Sequence, residues 1–273
     1  MGRYTLNPVM PVLLRPDGTV QVGWDPRRAV SVRPPPGLSP AGLAELLRTL
    51  QSGATLAELR ARFAVDAGEL VASLIDAGVV TTSERRRTRC ASIRIHGRGP
   101  LSDLLAGALR CSGARVTRSS ITHTAPPDTT DLVVLADSLV ADPWVVRELH
   151  SGGVAHLPVR LRDGAGLVGP LVVPGVTSCL ECADLHRSDR DAAWPAVASQ
   201  LRDTVGSADR ATVLATAALA LNQVDRVIRA VRRGDDVGTA AEPPPTLDTT
   251  LEFDVDACAI VARRWSRHPR CWC

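Results

Sequence analysis

The stretch SIRIHGRGPLSDLLAGALRCSGARVT (residues 92–117) decides the fold class of this chain of 273 residues. Ser92–His96 reads as a strand and Gly97-Arg98-Gly99 as the turn leaving it. LSDLLAGALRCSG is a helix closed by Gly113, Ala114–Thr117 a second strand, and Asp131–Asp137 (DLVVLAD) a buried third strand. This is the βαβ opening of a doubly wound α/β sheet, and G-x-G on a strand-to-helix turn fits a nucleotide-binding crossover. Gly97, Gly99 and, at the end of the third strand, Asp137 are the candidate nucleotide residues. The fingerprint is incomplete. Ser102 holds its third glycine position, and Arg118-Ser119-Ser120 stands where an acidic ribose partner belongs. The glycines would then serve to let helix and strand pack closely.

Downstream come a helix over PWVVRELHSGG (143–153) and strands over VAHLPVRL (154–161) and LVGPLVV (167–173). Helices follow over 188–201 and, long and largely apolar, over 207–233. The Pro/Gly loop 234–246 leads to two strands within LDTTLEFDVDACAIVARRW (247–265).

Two short cysteine pairs bracket this region: Cys179 and Cys182 in VTSCLECADLHR (176–187), and Cys271 and Cys273 in HPRCWC (268–273). Each tight turn aims two sulfurs at one point, and four thiolates at tetrahedral corners make a closed structural zinc site. Two disulfides would need an oxidising compartment. A redox C-x-x-C would leave the terminal pair unexplained, and ordinary buried thiols are the remaining alternative. Cys90, Cys111 and Cys258 read as small buried hydrophobes. His186, Arg187, Asp189, Arg190 and Asp191 follow the first pair, either pairing on the surface or forming a polar patch towards a partner. His268 is a candidate support for the thiolates or part of a His-Pro turn.

Upstream, MPVLLR and VQVGW flank the turn Arg15-Pro16-Asp17-Gly18-Thr19 as a hairpin, with Ala29–Arg33 as a third strand. Ser39 with Pro40 opens a helix carrying Leu43, Leu46, Leu47 and Leu50. Thr55 with Glu58 forms a capping box for the next helix, and Asp66 with Glu69 a weaker one for a third. Val79-Val80-Thr81 closes the module as a strand. Hairpin, three helices and strand make a winged-helix-like domain over 1–88, joined through SERRRTRC (83–90) to a second domain over 89–273. Its third helix carries Asp66, Glu69 and Asp76 and no base, unlike a helix built for a DNA groove. A strand edge beside a helix instead accepts an added peptide strand. Ala29–Arg33 and the third helix are therefore the candidate peptide groove, with dimerisation as the plainer alternative.

A net charge of +3 gives no case for nucleic acid, and the Arg85-Arg86-Arg87 run reads as a solvated linker. No apolar run reaches the roughly 18–20 residues of a membrane helix, and the N-terminus lacks a signal-peptide pattern; the expectation is a cytoplasmic protein. All 32 basic residues are arginine, so a phosphate-binding or Schiff-base lysine is excluded.

Taken together, βαβ with G-x-G-P-L, P-G-x-T-x-C-L-x-C running into LHR-x-D-R-D-x-x-W-P, and a terminal H-P-x-C-x-C resemble the ThiF-type, ubiquitin-activating-like superfamily. More narrowly, the chain resembles actinobacterial ThiF-like proteins of thiazole/oxazole-modified peptide biosynthesis. Its N-terminal module is similar to a PqqD-like peptide-recognition winged helix. The resemblance implies a doubly wound Rossmann-like domain, a tetrathiolate zinc on Cys179, Cys182, Cys271 and Cys273, and a homodimer. Active members of the family bind ATP-Mg at the glycine turn and adenylate a peptide or protein C-terminus. Here their lysine and ribose acid are missing, which argues against ATP-Mg and for a non-catalytic partner. Such relatives bind a precursor's leader peptide for a separate YcaO-type cyclodehydratase. The other readings are a divergent adenylating enzyme using arginines such as Arg98, Arg187 or Arg190, and an orphan scaffold or regulator.

Overall fold

The computed structural model describes residues 2–83, 89–119, 130–234 and 243–273. The Arg85–Arg87 run, Ser120 and residues 235–242 of the Pro/Gly loop lie outside these. The chain divides into two units, Met1–Arg87 and Thr88–Cys273.

In the first unit, β2 (Val12–Leu14), β3 (Val20–Val22) and β4 (Val30–Val32) form an antiparallel sheet in that order, so β4 is an edge. The helix α1 (Pro40–Gln51) is capped by Ser39 with Pro40 in its first turn, and it buries Leu43, Leu46, Leu47 and Leu50. Thr55 and Glu58 close a capping box on α2 (Leu56–Phe63), as their spacing requires. The expected box on α3 (Gly68–Asp76) does not form. The helix starts after Ala67, and Asp66 instead turns its carboxylate to the Gly68 N–H at 3.0 Å. The strand β5 (Val80–Ser83) has an unexpected partner, β1 (Arg3–Leu6), with Leu6 opposite Val80. Buried leucines and valines from all these elements except β4 meet in one core, with Val30 and Val32 of β4 half-buried against it.

The second unit is a mixed sheet of seven strands in the order β12-β11-β10-β9-β8-β6-β7. The strands β6 (Ser92–His96), β7 (Arg115–Ser119), β8 (Leu132–Ala136) and β9 (His156–Arg162) are parallel. The strands β10 (Ala165–Val168), β11 (Thr249–Asp254) and β12 (Ala259–Arg264) continue the sheet antiparallel. Period-two alternation sorts the two faces. Ile93, Ile95, Leu132, Val134, Leu157, Val159 and Leu161 pack under α4 (Pro100–Leu109) and α8 (Arg210–Arg233). Val133 and Leu135 face the other way, to α5 (Pro143–Ser151) and the start of α6 (Leu180–Arg190). The helix expected over 188–201 is broken: α6 ends at Arg190 and α7 (Trp194–Leu201) begins after a turn. The strand expected over 167–173 ends at Val168, before Gly169-Pro170. No helix among the described residues is long and apolar enough to cross a membrane.

Candidate functional site

The four cysteines of the paired motifs converge. Sγ–Sγ separations are 3.7 Å for Cys179–Cys182, 3.5 Å for Cys179–Cys271 and 3.4 Å for Cys182–Cys273, and all four sulfurs lie within 4.8 Å of one another. A tetrahedron with metal–sulfur bonds of roughly 2.3 Å has edges of about 3.8 Å, so the cluster could hold a metal ion with little movement. The remaining cysteines correct the sequence reading. Cys90, Cys111 and Cys258 are exposed, because each sits at a turn or strand margin rather than on a core face.

Local chemistry builds the cluster. Cys179 caps α6, and its sulfur accepts the Cys182 N–H at 3.4 Å. The His268 N–H reaches Cys182 Sγ at 3.3 Å. Burial pushes the Cys179 thiol up, and Cys271 to about 11. Burial opposes ionisation at Cys182 too, but backbone donors from His268 and Cys179 help outweigh it and hold that thiol below its ordinary value. A divalent cation would reverse the cost of ionising Cys179 and Cys271.

Two members of the charged run after the first pair, His186 and Asp189, tie the C-terminal segment down. Asp189 pairs with His268 Nε2 at 2.8 Å and with Arg270, and the His268 hydrogen bond leads the effects holding its carboxyl low. His186 meets the Ser266 carbonyl at 3.1 Å and stacks edge-on against His268. Arg187 pairs with Asp184 at 2.8 Å. The sequence reading missed Asp248, whose Oδ1 accepts both the N–H (2.6 Å) and the hydroxyl (2.8 Å) of Ser178, fixing the start of the cysteine turn. Its sequence context, a leucine and three threonines after a proline run, carried no ligand signal.

The glycine turn lies at the head of α4. Gly97 has φ +150°, and a Cβ there would come within 2.3 Å of the Ala136 carbonyl oxygen. A Cβ on Gly99 would come within 2.7 Å of the Asp137 carboxyl carbon. Asp137 is buried (1% exposed), with φ +75°. It accepts from the Leu101 N–H at 2.9 Å and the Ser102 N–H at 3.3 Å. The Asp103 N–H goes to the Gly99 carbonyl, and the Gly99 N–H to Ser102 Oγ at 3.0 Å. Gly97, Gly99 and Asp137 are thus brought together, but the first-turn donors that cradle a phosphate in a nucleotide crossover are engaged within the chain. Ser102, at the third glycine position, supplies one of those bonds. Arg118, near the ribose-acid position, pairs with Asp103 at 2.6 Å.

No family model matches the chain, and no curated protein matches it by sequence. Solved structures do match in fold. The heterocyclase TruD aligns with all of this chain at 16% identity and a TM-score of 0.68, and 42% of TruD is covered. The chain therefore spans about two fifths of that heterocyclase. E. coli MccB with ATP aligns at 14% identity and a TM-score of 0.59, covering 99% of each chain. The microcin C7 biosynthetic enzyme MccB in complex with N-formylated MccA aligns at 14% identity and a TM-score of 0.58, again over 99% of each. These likenesses show the fold, and at that level they bear out the ThiF-type resemblance drawn from the sequence motifs.

Proposed function

We propose that this chain is the peptide-handling partner of a peptide-modifying enzyme, with no nucleotide chemistry of its own. The observation that carries the reading is Asp137. Its carboxylate fills the head of α4, the place where an anionic phosphate would otherwise sit, in a chain with no lysine to replace that contact. Phosphoryl and adenylyl transfer depend on groups that stabilise developing charge, and this turn has spent its donors. The higher TM-score with a heterocyclase than with MccB supports a place beside a cyclodehydratase of the YcaO type.

In this reading residues 1–88 form a PqqD-like winged helix. The free edge of β4 (Val30–Val32) takes a leader peptide as an added strand, with α3 forming the second wall of the groove. Residues 89–273 form a homodimer and hold the captured peptide near the modifying enzyme, raising its effective concentration. Cys179, Cys182, Cys271 and Cys273 bind a structural Zn²⁺, whose closed thiolate set leaves no open catalytic position; it ties the C-terminal segment to α6.

The test has two arms. Panning a displayed peptide library against the full chain should enrich peptides whose binding slows amide exchange at Val30–Val32. ATP-Mg should produce no thermal stabilisation and no pyrophosphate exchange. Exchange of pyrophosphate into ATP would overturn the reading. It would favour the second one, a divergent adenylating enzyme, for which the end-to-end match to MccB with ATP speaks.

A further inference from the structure

On the face of the sheet that carries α5, a cavity of about 850 Å³ opens between the segment after β8, strand β9 and helices α5, α6 and α7. Neither the four cysteines nor Gly97, Gly99 and Asp137 line it. Its walls are apolar where Val140, Val146, Leu180, Pro195 and Leu201 meet, and its volume suits a small organic ligand. Its charge is lopsided: six arginines line it against four carboxylates.

The arginines are not equivalent. Arg187 donates to Asp184 Oδ1 at 2.8 Å and lies over the Trp194 and Trp265 rings. Trp194 Nε1 donates to the same oxygen at 3.1 Å. Arg162 pairs with Glu252 at 2.9 Å. Arg160 is different. It projects from the middle of β9, between Val159 and Leu161 of the opposite face, and its guanidinium makes no hydrogen bond or ion pair with a described residue. Burial, then the neighbouring Arg187, press its pKa down to about 10. Asp184 opposes that fall without pairing with it, so Arg160 is still cationic at neutral pH, half-buried and with no carboxylate in direct contact. A cation withdrawn from water is unfavourable until it is paired.

We propose that this cavity binds a small organic monoanion, with a carboxylate on the Arg160 guanidinium and an apolar body on the Val140–Val146–Leu201 wall. A planar guanidinium matches a carboxylate bidentately. The apolar wall beside Arg160 favours an organic acid over inorganic phosphate, which has no apolar body to bury there. The carboxylate belongs to a free acid or to the C-terminus of a peptide.

The test uses the full chain and 4-phenylbutyrate as probe, followed by calorimetry. Saturable binding is expected, with 4-phenylbutyramide and inorganic phosphate at least about tenfold weaker, since a charge-assisted pair is lost. Arg160→Met should weaken the acid by about tenfold or more and leave the amide unchanged. Arg160→Lys, which keeps charge but not the fork, should fall between. A melting curve checks each variant; if Arg160→Met does not fold, the lysine variant and the acid–amide difference decide. Equal binding of acid and amide, tighter binding of phosphate, or no saturation by about 10 mM, beyond ordinary weak affinities, overturns the proposal. A short peptide ending in phenylalanine, as acid and as amide, then separates the sources while upholding the site. Competition by the acid form alone assigns a chain terminus, and competition by neither assigns a free acid. No leader peptide, ATP or metal enters this measurement, so its failure is distinct from failure of the proposed function.

Discussion

Replacing Asp137 with glycine tests whether the chain itself fills the head of α4. Glycine keeps the backbone at φ +75° without strain, so the change isolates the carboxylate. Two buried acceptors are lost, one at 2.9 Å from the Leu101 N–H and a longer one at 3.3 Å from the Ser102 N–H. A hydrogen bond to a charged group contributes about 1.5–3 kcal/mol, and a negative charge at a helix N-terminus about 0.3–1 more. Counting the long bond low and letting water enter the space, the loss is about 3 kcal/mol. In a unit of this size that lowers Tm by roughly 6–12 °C. The vacated helix head should then bind an anion from solution. Sulfate at about a hundredfold above its dissociation constant would return about 2.7 kcal/mol. The assay is thermal unfolding of wild type and variant in sulfate and in chloride at matched ionic strength, since sulfate stabilises most proteins to some degree. The signal is the difference between the two proteins. A variant within about 1 kcal/mol of wild type, or a gap that sulfate does not narrow, would refute the reasoning that this carboxylate occupies a phosphate's place.

Cys182→Ser, or chelation of the wild type, should reduce bound zinc from about one ion per chain to near zero and lower stability by several kcal/mol; metal analysis alongside a melt checks both. His156 is fully buried, and burial chiefly drives its pKa from 6.5 to about 4. Between those values the unfolded chain binds a proton that the folded chain refuses. The His156 contribution is therefore complete above pH 6.5 and falls away as pH drops towards 4, by about 3 kcal/mol in all. Urea titrations at pH 7.5 and 5 should show His156→Leu less acid-sensitive than wild type. Thr55→Ala removes the α2 capping box and should cost about 1 kcal/mol without changing peptide capture, as measured by denaturation and by binding to the enriched peptides.

What the sequence disclosed and what it hid divide along sequence distance. The βαβ order, the Ser39 cap and the Thr55–Glu58 box were legible because each depends on residues within one turn or strand. The four cysteines were legible across residues 183–270 because ligand spacing is a signature in itself. The β1–β5 pairing was not: RYTL is short, and its partner VTTS lies some eighty positions away with nothing local to point to it. Asp66 failed as a helix cap because an Asx turn onto Gly68 competed for the same carboxylate. The exposed Cys90, Cys111 and Cys258 escaped because a residue type's average burial says little at element margins. Arg160 was hidden inside an apolar strand pattern, where only the sheet's alternation shows that it points away from Val159 and Leu161.

One short segment links the two ligand questions. The Asp137 carbonyl accepts the Gly206 N–H at 3.1 Å, the Leu139 N–H reaches the Thr204 carbonyl at 3.0 Å, and Ser138 bridges to Val205. Residues 137–139 are thus pinned to the chain just after α7. The same short stretch presents a carboxylate to α4 on one side and, through Leu139, a wall to the arginine cavity on the other. Displacing the carboxylate from the helix head would require either a side-chain rotation against a φ already in the left-handed region or movement of this pinned segment. The second path would disturb the cavity wall as well. A nucleotide entering at the glycine turn would therefore have to break at least the Asp137 bonds to the head of α4. A peptide added at the edge of β4 breaks none of them. That asymmetry supports the proposed reading of peptide handling over the alternative of ATP turnover.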